Sequence, residues 1–167
     1  MDFVVDGAKA KVVRGSDCFA TDEQFFLAFA QFAQKTPSDG LVLAYRHCSV
    51  TLDVTGRIAG RRETFGYSCD CDWQAVDVRS ARGRYRFRVL CRGQEFCRVR
   101  LAVLGRHQVT NALAAAAMAA AAGVNRHAIA RGLAGFRGLK RRLEWKSVLG
   151  RVGCFDDYAH HPTEVAA

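Results

Sequence analysis

Three short stretches concentrate side chains that can do chemistry. The first is Gly105-Arg106-His107-Gln108-Val109-Thr110-Asn111. His107 and Asn111 stand four apart, so a helix would put them on one face. An imidazole can stack on a flat ring, and an amide can donate and accept at once, as a purine edge requires. A helix cap with a surface histidine has the same composition. The second stretch is Lys140-Arg141-Arg142-Leu143-Glu144. As a strand it points Arg142 and Glu144 one way, Arg141 and Leu143 the other. An arginine fork behind a glycine-containing loop matches phosphate oxygens; a solvated basic loop reads the same way. The third is Asp156-Asp157-Tyr158-Ala159-His160-His161-Pro162-Thr163-Glu164. It follows an apolar strand, and α/β proteins bind ligands at strand C-termini. Two histidines beside two carboxylates could also take a metal.

The elements that must position these residues follow from local chemistry. Thr21-Asp22-Glu23-Gln24 is a T-x-x-Q capping box and opens a helix over about 22–35 with Phe25, Phe29 and Phe32 on its apolar face. Pro37-Ser38-Asp39-Gly40 ends it, and Leu41–Tyr45 reads as a short buried strand. Strands are expected near 62–67, 73–79, 84–91 and 95–103, with turns at Ala81-Arg82-Gly83 and Arg92-Gly93-Gln94. They read as an antiparallel meander appended to an α/β core. An alanine-rich helix follows over 107–122, with Gly123 as its C-terminal glycine. Asn125 caps a second helix, about 126–134, with Ile129 and Leu133 facing inward. Gly135 and Gly138 mark a break. Arg141–Leu149 and Val152–Asp156 read as strands, and Pro162, with His161 as a possible cap, opens a further helix.

The bulk numbers narrow the class. Half of the 167 residues are apolar and a quarter are charged, as in a globular chain. The longest apolar run, Ala112–Ala122, is too short to span a bilayer, and no secretory signal is read at the N-terminus. The net charge of +9 raises nucleic acid as a partner. The densest basic cluster, Arg79 to Arg88, nevertheless alternates with Tyr85, Phe87 and Val89, the period of a half-buried strand with a solvated arginine face. The seven cysteines are scattered, with only Cys69-Asp70-Cys71 close together, so no zinc spacing is present. Reduced thiols in a cytoplasm are the expectation.

Taken in order, the three clusters resemble the Mur ligase family, ATP-dependent enzymes that join amino acids or peptides to UDP-muramoyl precursors of peptidoglycan. The family pattern runs G-x-H-N-x-x-N-A-x-A-A, F-x-G-x-x-R-R-x-E and D-Y-A-H-x-P, matched here by Gly105–Ala115, Phe136–Glu144 and Asp157–Pro162. The doubled His160-His161 with Pro162-Thr163-Glu164 is most similar to the branch that adds L-alanine, or a recycled tripeptide, to UDP-N-acetylmuramate. The resemblance implies an α/β fold in two pieces. Residues 1–138 would be the C-terminal part of an incomplete central ATP-binding domain carrying the antiparallel meander. Residues 139–167 would be the first strand and helix start of a Rossmann-like C-terminal domain. It implies ATP and Mg²⁺ as cofactors, with the magnesium ligands mostly outside this chain and no metal ligand assigned within it. His107, Gln108 and Asn111 would meet the adenine and ribose. Arg142 would face the phosphates, and Asp157 would place the nucleotide at the domain junction; these two are also the catalytic candidates. Tyr158 and His160 would face the muramoyl substrate and L-alanine. The implied chemistry is activation of the substrate carboxylate as an acyl phosphate, followed by attack of the amine.

The departures shape the expectations. Gln108 stands where the family has asparagine. The family's D-H-x-D stretch falls at Arg14-Gly15-Ser16-Asp17, without the histidine. No glycine-rich segment followed by Lys-Ser/Thr, the loop that holds phosphates, occurs in the chain. A ligase fragment inactive by itself is therefore expected. Its Phe25, Phe29 and Phe32 face would lack the strands that cover it, with partial folding or poor solubility. A non-catalytic basic module touching RNA through the arginine strand is the reading from another class.

Overall fold

A computed structural model describes Phe19, residues 21–160 and Val165. The expected cap at His161, the helix start at Pro162 and the Arg14–Asp17 stretch lie outside the described residues. The first helix, α1 (Asp22–Gln34), begins as the capping box dictates, with the Thr21 hydroxyl accepting from the Gln24 N–H at 3.3 Å. Strand β1 (Leu41–Tyr45) follows, then α2 (Ser49–Val54), β2 (Arg61–Gly66), β3 (Trp73–Ala81), β4 (Arg84–Cys91) and β5 (Gln94–Leu104). The chain continues with α3 (His107–Ala121), α4 (Arg126–Gly135), β6 (Glu144–Leu149) and β7 (Val152–Asp156).

Strands β1 to β5 form one sheet in sequence order. β1, β2 and β3 pair parallel, and β3, β4 and β5 pair antiparallel. The expected meander is thus corrected at its first member. β2 joins β1 in parallel because residues 46–60, with α2 inside them, are long enough for a crossover. β3 overlaps β2 at only two residue pairs, Phe65 with Trp73 and Gly66 with Gln74, so a short loop suffices to sidestep between them. The meander proper is β3 to β5, continuous with the parallel strands rather than appended to them. Its two tight turns lie at the anticipated positions. Arg82 and Gly83 have φ of 52° and 73°, and Arg92 and Gly93 have 49° and 79°, the paired positive values of a twisted hairpin.

One face of the sheet is apolar. Trp73, Ala75, Phe87, Val89, Val99 and Leu101 are buried against Val109, Ala112, Leu113 and Ala117 of α3. The small alanines let the helix axis approach the strands closely. The opposite face carries the arginines, with Arg84 and Arg86 exposed and Phe87 and Val89 buried, as the alternation predicts. α3 ends at Gly123 (φ +82°), with Val124 N–H bonded to Ala119 O and Gly123 N–H to Ala120 O, both at 3.0 Å. α4 starts where the Asn125 side chain accepts from the Ala128 N–H at 2.9 Å, and it buries Ile129 and packs on β5 and α3.

Two further expectations are corrected. Residues 141–143 are not strand. Arg141 and Leu143 have φ of 58° and 46°, and β6 begins only at Glu144. The alternation of Arg142 with Leu143 therefore does not apply. The apolar face of α1 is split: Phe25 and Phe29 are half-buried with ring centroids 4.7 Å apart, whereas Phe32 is 73% exposed. β6 and β7 form a separate two-stranded sheet.

Candidate functional site

β1, β2, β3 and β5 run in one direction, so their C-terminal ends share one edge of the sheet. α3 starts from that edge directly after β5, so His107 to Asn111 sit where parallel sheets place their ligands. Gly105 makes this junction possible. Its φ is +98°, and a Cβ there would stand 2.6 Å from Cε1 of His107. The imidazole is folded back over the glycine, and any side chain would expel it.

The polar groups of the first turn of α3 bond to one another. Gln108 Nε2 lies 3.1 Å from His107 Nε2, and Asn111 Nδ2 donates to Gln108 Oε1 at 3.4 Å. The Thr110 hydroxyl donates to His107 O at 2.8 Å. Gln108, where the resemblance expects asparagine, bridges the ring and the amide. Desolvation pushes the His107 pKa below its ordinary value; Asp157 opposes this and Arg142 adds to it. The shift favours the neutral imidazole, a ring suited to stacking and to accepting or donating one hydrogen bond.

The second and third clusters are brought together by backbone bonds. The Asp157 carboxylate accepts from the Leu143 N–H and, in its own turn, from the Ala159 N–H, each at 2.9 Å. Tyr158 N–H donates to Arg141 O at 2.9 Å, and the Arg141 guanidinium lies 4.8 Å from the Tyr158 ring centroid. Glu144 accepts from the Arg141 N–H at 2.9 Å and pairs with Lys146 at 2.9 Å. His160 Nδ1 lies 3.0 Å from Tyr158 O. The left-handed turn at 141–143 is thus tied to the end of β7, and the charges of Asp157 and Arg142 bias the His107 ring in opposite senses.

Sequence reasoning missed a further part of this edge. The loop after β2 is pinned at several points. Asp72 accepts from the Thr64 N–H at 2.7 Å and from the Thr64 hydroxyl at 2.9 Å. Arg46 Nε donates to Asp70 at 2.8 Å, and Gln74 donates to Tyr67 O at 3.1 Å. Tyr67 in this loop faces Arg106, whose guanidinium lies 5.5 Å from its ring centroid. No local signal links these residues, because the contacts form only when the sheet does.

The donor set suits a nucleotide better than a metal. A neutral imidazole and two amides meet the requirements of a flat, hydrogen-bonding base, and an arginine fork meets those of phosphate. Among the described residues no group of three or more His, Cys, Asp or Glu side chains is arranged to hold a metal ion. Burial pushes the Cys71, Cys91 and Cys97 thiols up, which disfavours the thiolate that metals and electrophiles need. No helix among the described residues is long and apolar enough to cross a membrane.

Comparison with known proteins adds identity to this geometry. The family model of the Mur ligase middle domain matches residues 15–119. The UDP-N-acetylmuramate–L-alanine ligase of Caldanaerobacter subterraneus subsp. tengcongensis is 35% identical over 152 residues, covering 90% of this chain and 33% of that protein. The ligase of the same name from Dinoroseobacter shibae is 39% identical over 142 residues, covering 83% and 31%. The chain spans about a third of the length of these curated relatives. Among solved structures, UDP-N-acetylmuramate-alanine ligase MurC from Thermotoga maritima superposes with a TM-score of 0.73 at 25% identity, over 87% of this chain and 32% of that one. MurF from Acinetobacter baumannii shares the fold, with a TM-score of 0.74 at 23% identity over 89% and 32%. The middle-domain model covers more than half of the sequence, and the chain belongs to the Mur ligase family.

Proposed function

We propose that this chain supplies the base-binding side and the domain junction of an ATP-dependent ligase that joins L-alanine to UDP-N-acetylmuramate. The observation that carries the reading is the hydrogen-bonded His107–Gln108–Asn111 strip at the start of α3, at the C-terminal edge of the sheet. The names and identities of the relatives support the choice of substrates. Residues 1–138 would belong to the central domain and 139–167 to the start of the next. The positive φ of Gly138 (+97°) and the separate sheet of β6 and β7 agree with that division.

Each residue then has a role set by its chemistry. His107 offers a neutral ring face to the adenine, and the amides of Gln108 and Asn111 offer paired donors and acceptors to its edge or to the ribose. Arg142 draws phosphate oxygens toward the junction by charge and geometry. Asp157 holds the 141–143 turn against the end of β7 and so fixes where Arg142 starts. Tyr158 and His160, on the far side of that turn, face the muramoyl substrate and the amine. ATP, when bound, supplies the phosphoryl group that activates the substrate carboxylate. No residue of this chain is assigned to Mg²⁺.

Photolabelling with an azido-adenine analogue of ATP, followed by peptide mapping, tests the reading. Label is expected in peptides spanning 105–115 or 139–160 and is competed by ATP. Label confined to other peptides, uncompeted, contradicts it.

A further inference from the structure

Among the described residues, the three longer helices do not start alike. α1 and α4 are capped by Thr21 and Asn125, whose side-chain oxygens accept from the first turn. α3 has no side-chain cap, and its N-cap residue is Arg106. A cation at the positive end of a helix dipole is unfavourable, and an arginine cannot accept from the orphan N–H groups. This helix carries the His107–Gln108–Asn111 strip, and local rules are broken most often where function constrains the residue.

The Arg106 side chain is not idle. Its guanidinium lies over the Tyr67 ring, 5.5 Å from the centroid. Tyr67 is itself half-buried and rigidly presented, because Gln74 holds its carbonyl and the Thr64–Asp72 and Arg46–Asp70 contacts fix the loop around it. Behind it, Tyr45 packs on Phe65 and His47 at centroid distances of 5.5 and 5.4 Å. The arginine therefore ties the first turn of α3 to a braced loop at the end of β2. Without this tie, the α3 start has only Gly105, a residue of high conformational freedom, between it and β5.

We propose that Arg106 and Tyr67 form a positioning pair that fixes the start of α3, and with it His107 and Asn111, in the orientation that receives the base of a nucleotide. This rests on the nucleotide reading above. Neither residue touches the base; the pair acts by reducing the ordering that binding would otherwise require.

The test is a titration of the 167-residue chain with ATP, followed by amide chemical shifts in α3, for the wild type, Arg106→Gln, Arg106→Lys, Tyr67→Phe and the Arg106→Gln/Tyr67→Phe double variant. Hydrogen exchange of the first-turn amides of α3 is read in parallel. Arg106→Gln is expected to weaken ATP by about two- to fivefold, in line with a cation–π contact made by an exposed arginine, and to speed exchange at 107–110. Tyr67→Phe keeps the ring face that the guanidinium meets, so a smaller loss is expected. Arg106→Lys keeps the charge and recovers part of the loss. The double variant is expected to be no weaker than Arg106→Gln by more than about twofold, because the two residues act as one unit. Wild-type affinity and exchange in every variant would overturn the pair and leave the nucleotide site standing. Additive losses in the double variant would also overturn it. If wild type and Asn111→Ala alike show no shift with ATP, the site reading itself fails, and the pair fails with it.

Discussion

At the residue scale, Glu63 and His107 illustrate two ways of handling an ionisable group. Glu63 is a buried carboxylate on β2, 6% exposed, and every charge it carries is answered. It accepts from Trp73 Nε1 at 2.7 Å and from Arg92 at 2.9 Å, and Arg61 lies at 3.2 Å. Glu63→Ala would strand the buried indole N–H and is expected to cost about 2–3 kcal/mol, measured by urea unfolding. Glu63→Gln, which keeps an acceptor for the indole, is expected to cost less. Equal losses would contradict the assigned bond. His107 is held toward its neutral form by desolvation. Its folded pKa is below its unfolded one, so the unfolded chain binds the proton first as pH falls. The associated stability is present above the ordinary imidazole value and is lost as pH drops through it toward the lower folded value. An NMR titration is expected to place the His107 midpoint below that of an ordinary imidazole. A midpoint at or above the ordinary value would contradict the desolvated ring.

At the element scale, the 141–143 turn and the end of β7 depend on Asp157. Its carboxylate binds two backbone N–H groups from different segments. Asp157→Ala removes both bonds and is expected to loosen residues 140–144 and 157–159 together, seen as faster hydrogen exchange at Leu143 and Ala159, while β3 to β5 keep their protection. Protection unchanged at both amides would remove Asp157 from this role. The elements that were legible in the sequence are those governed by near neighbours. The Thr21 and Asn125 caps, the Arg82-Gly83 and Arg92-Gly93 turns and the Gly123 stop each need only a few adjacent residues. The parallel pairing of β2 is set by a crossover and by partners on β1, which no local pattern in Arg61–Gly66 records. α2 has six residues and is supported from outside, by Arg62 donating to Leu52 O at 3.1 Å. The alternation in 141–145 suggested a strand, but the Asp157 and Glu144 carboxylates capture the N–H groups of Leu143 and Arg141 and hold a left-handed turn instead. The three chemical clusters were legible as residue types. The joining of the second and third clusters, and the Arg106–Tyr67 contact, form only in the folded chain.

At the scale of the whole molecule, apolar surface is distributed unevenly. The five-stranded sheet has a closed core under α3, whereas the β6–β7 hairpin leaves Trp145 54%, Val148 57%, Leu149 71% and Val152 66% exposed. A two-stranded hairpin alone is marginal in water, so the chain is expected to unfold in two steps. Each step has a tryptophan reporter, Trp73 in the core and Trp145 on the hairpin. Trp73→Phe and Trp145→Phe variants are expected to give different urea midpoints by fluorescence, the hairpin first; coincident midpoints would show one cooperative unit. The central claim concerns the start of α3 at the sheet edge, and one measurement reaches it directly. Calorimetric titration of the chain with ATP and, separately, UTP is made for wild type and Asn111→Ala. The account predicts binding of ATP over UTP by wild type and loss of that preference, by about tenfold in affinity or about 1.4 kcal/mol, in Asn111→Ala. Equal affinity for the two nucleotides, or a preference that survives in Asn111→Ala, would contradict it.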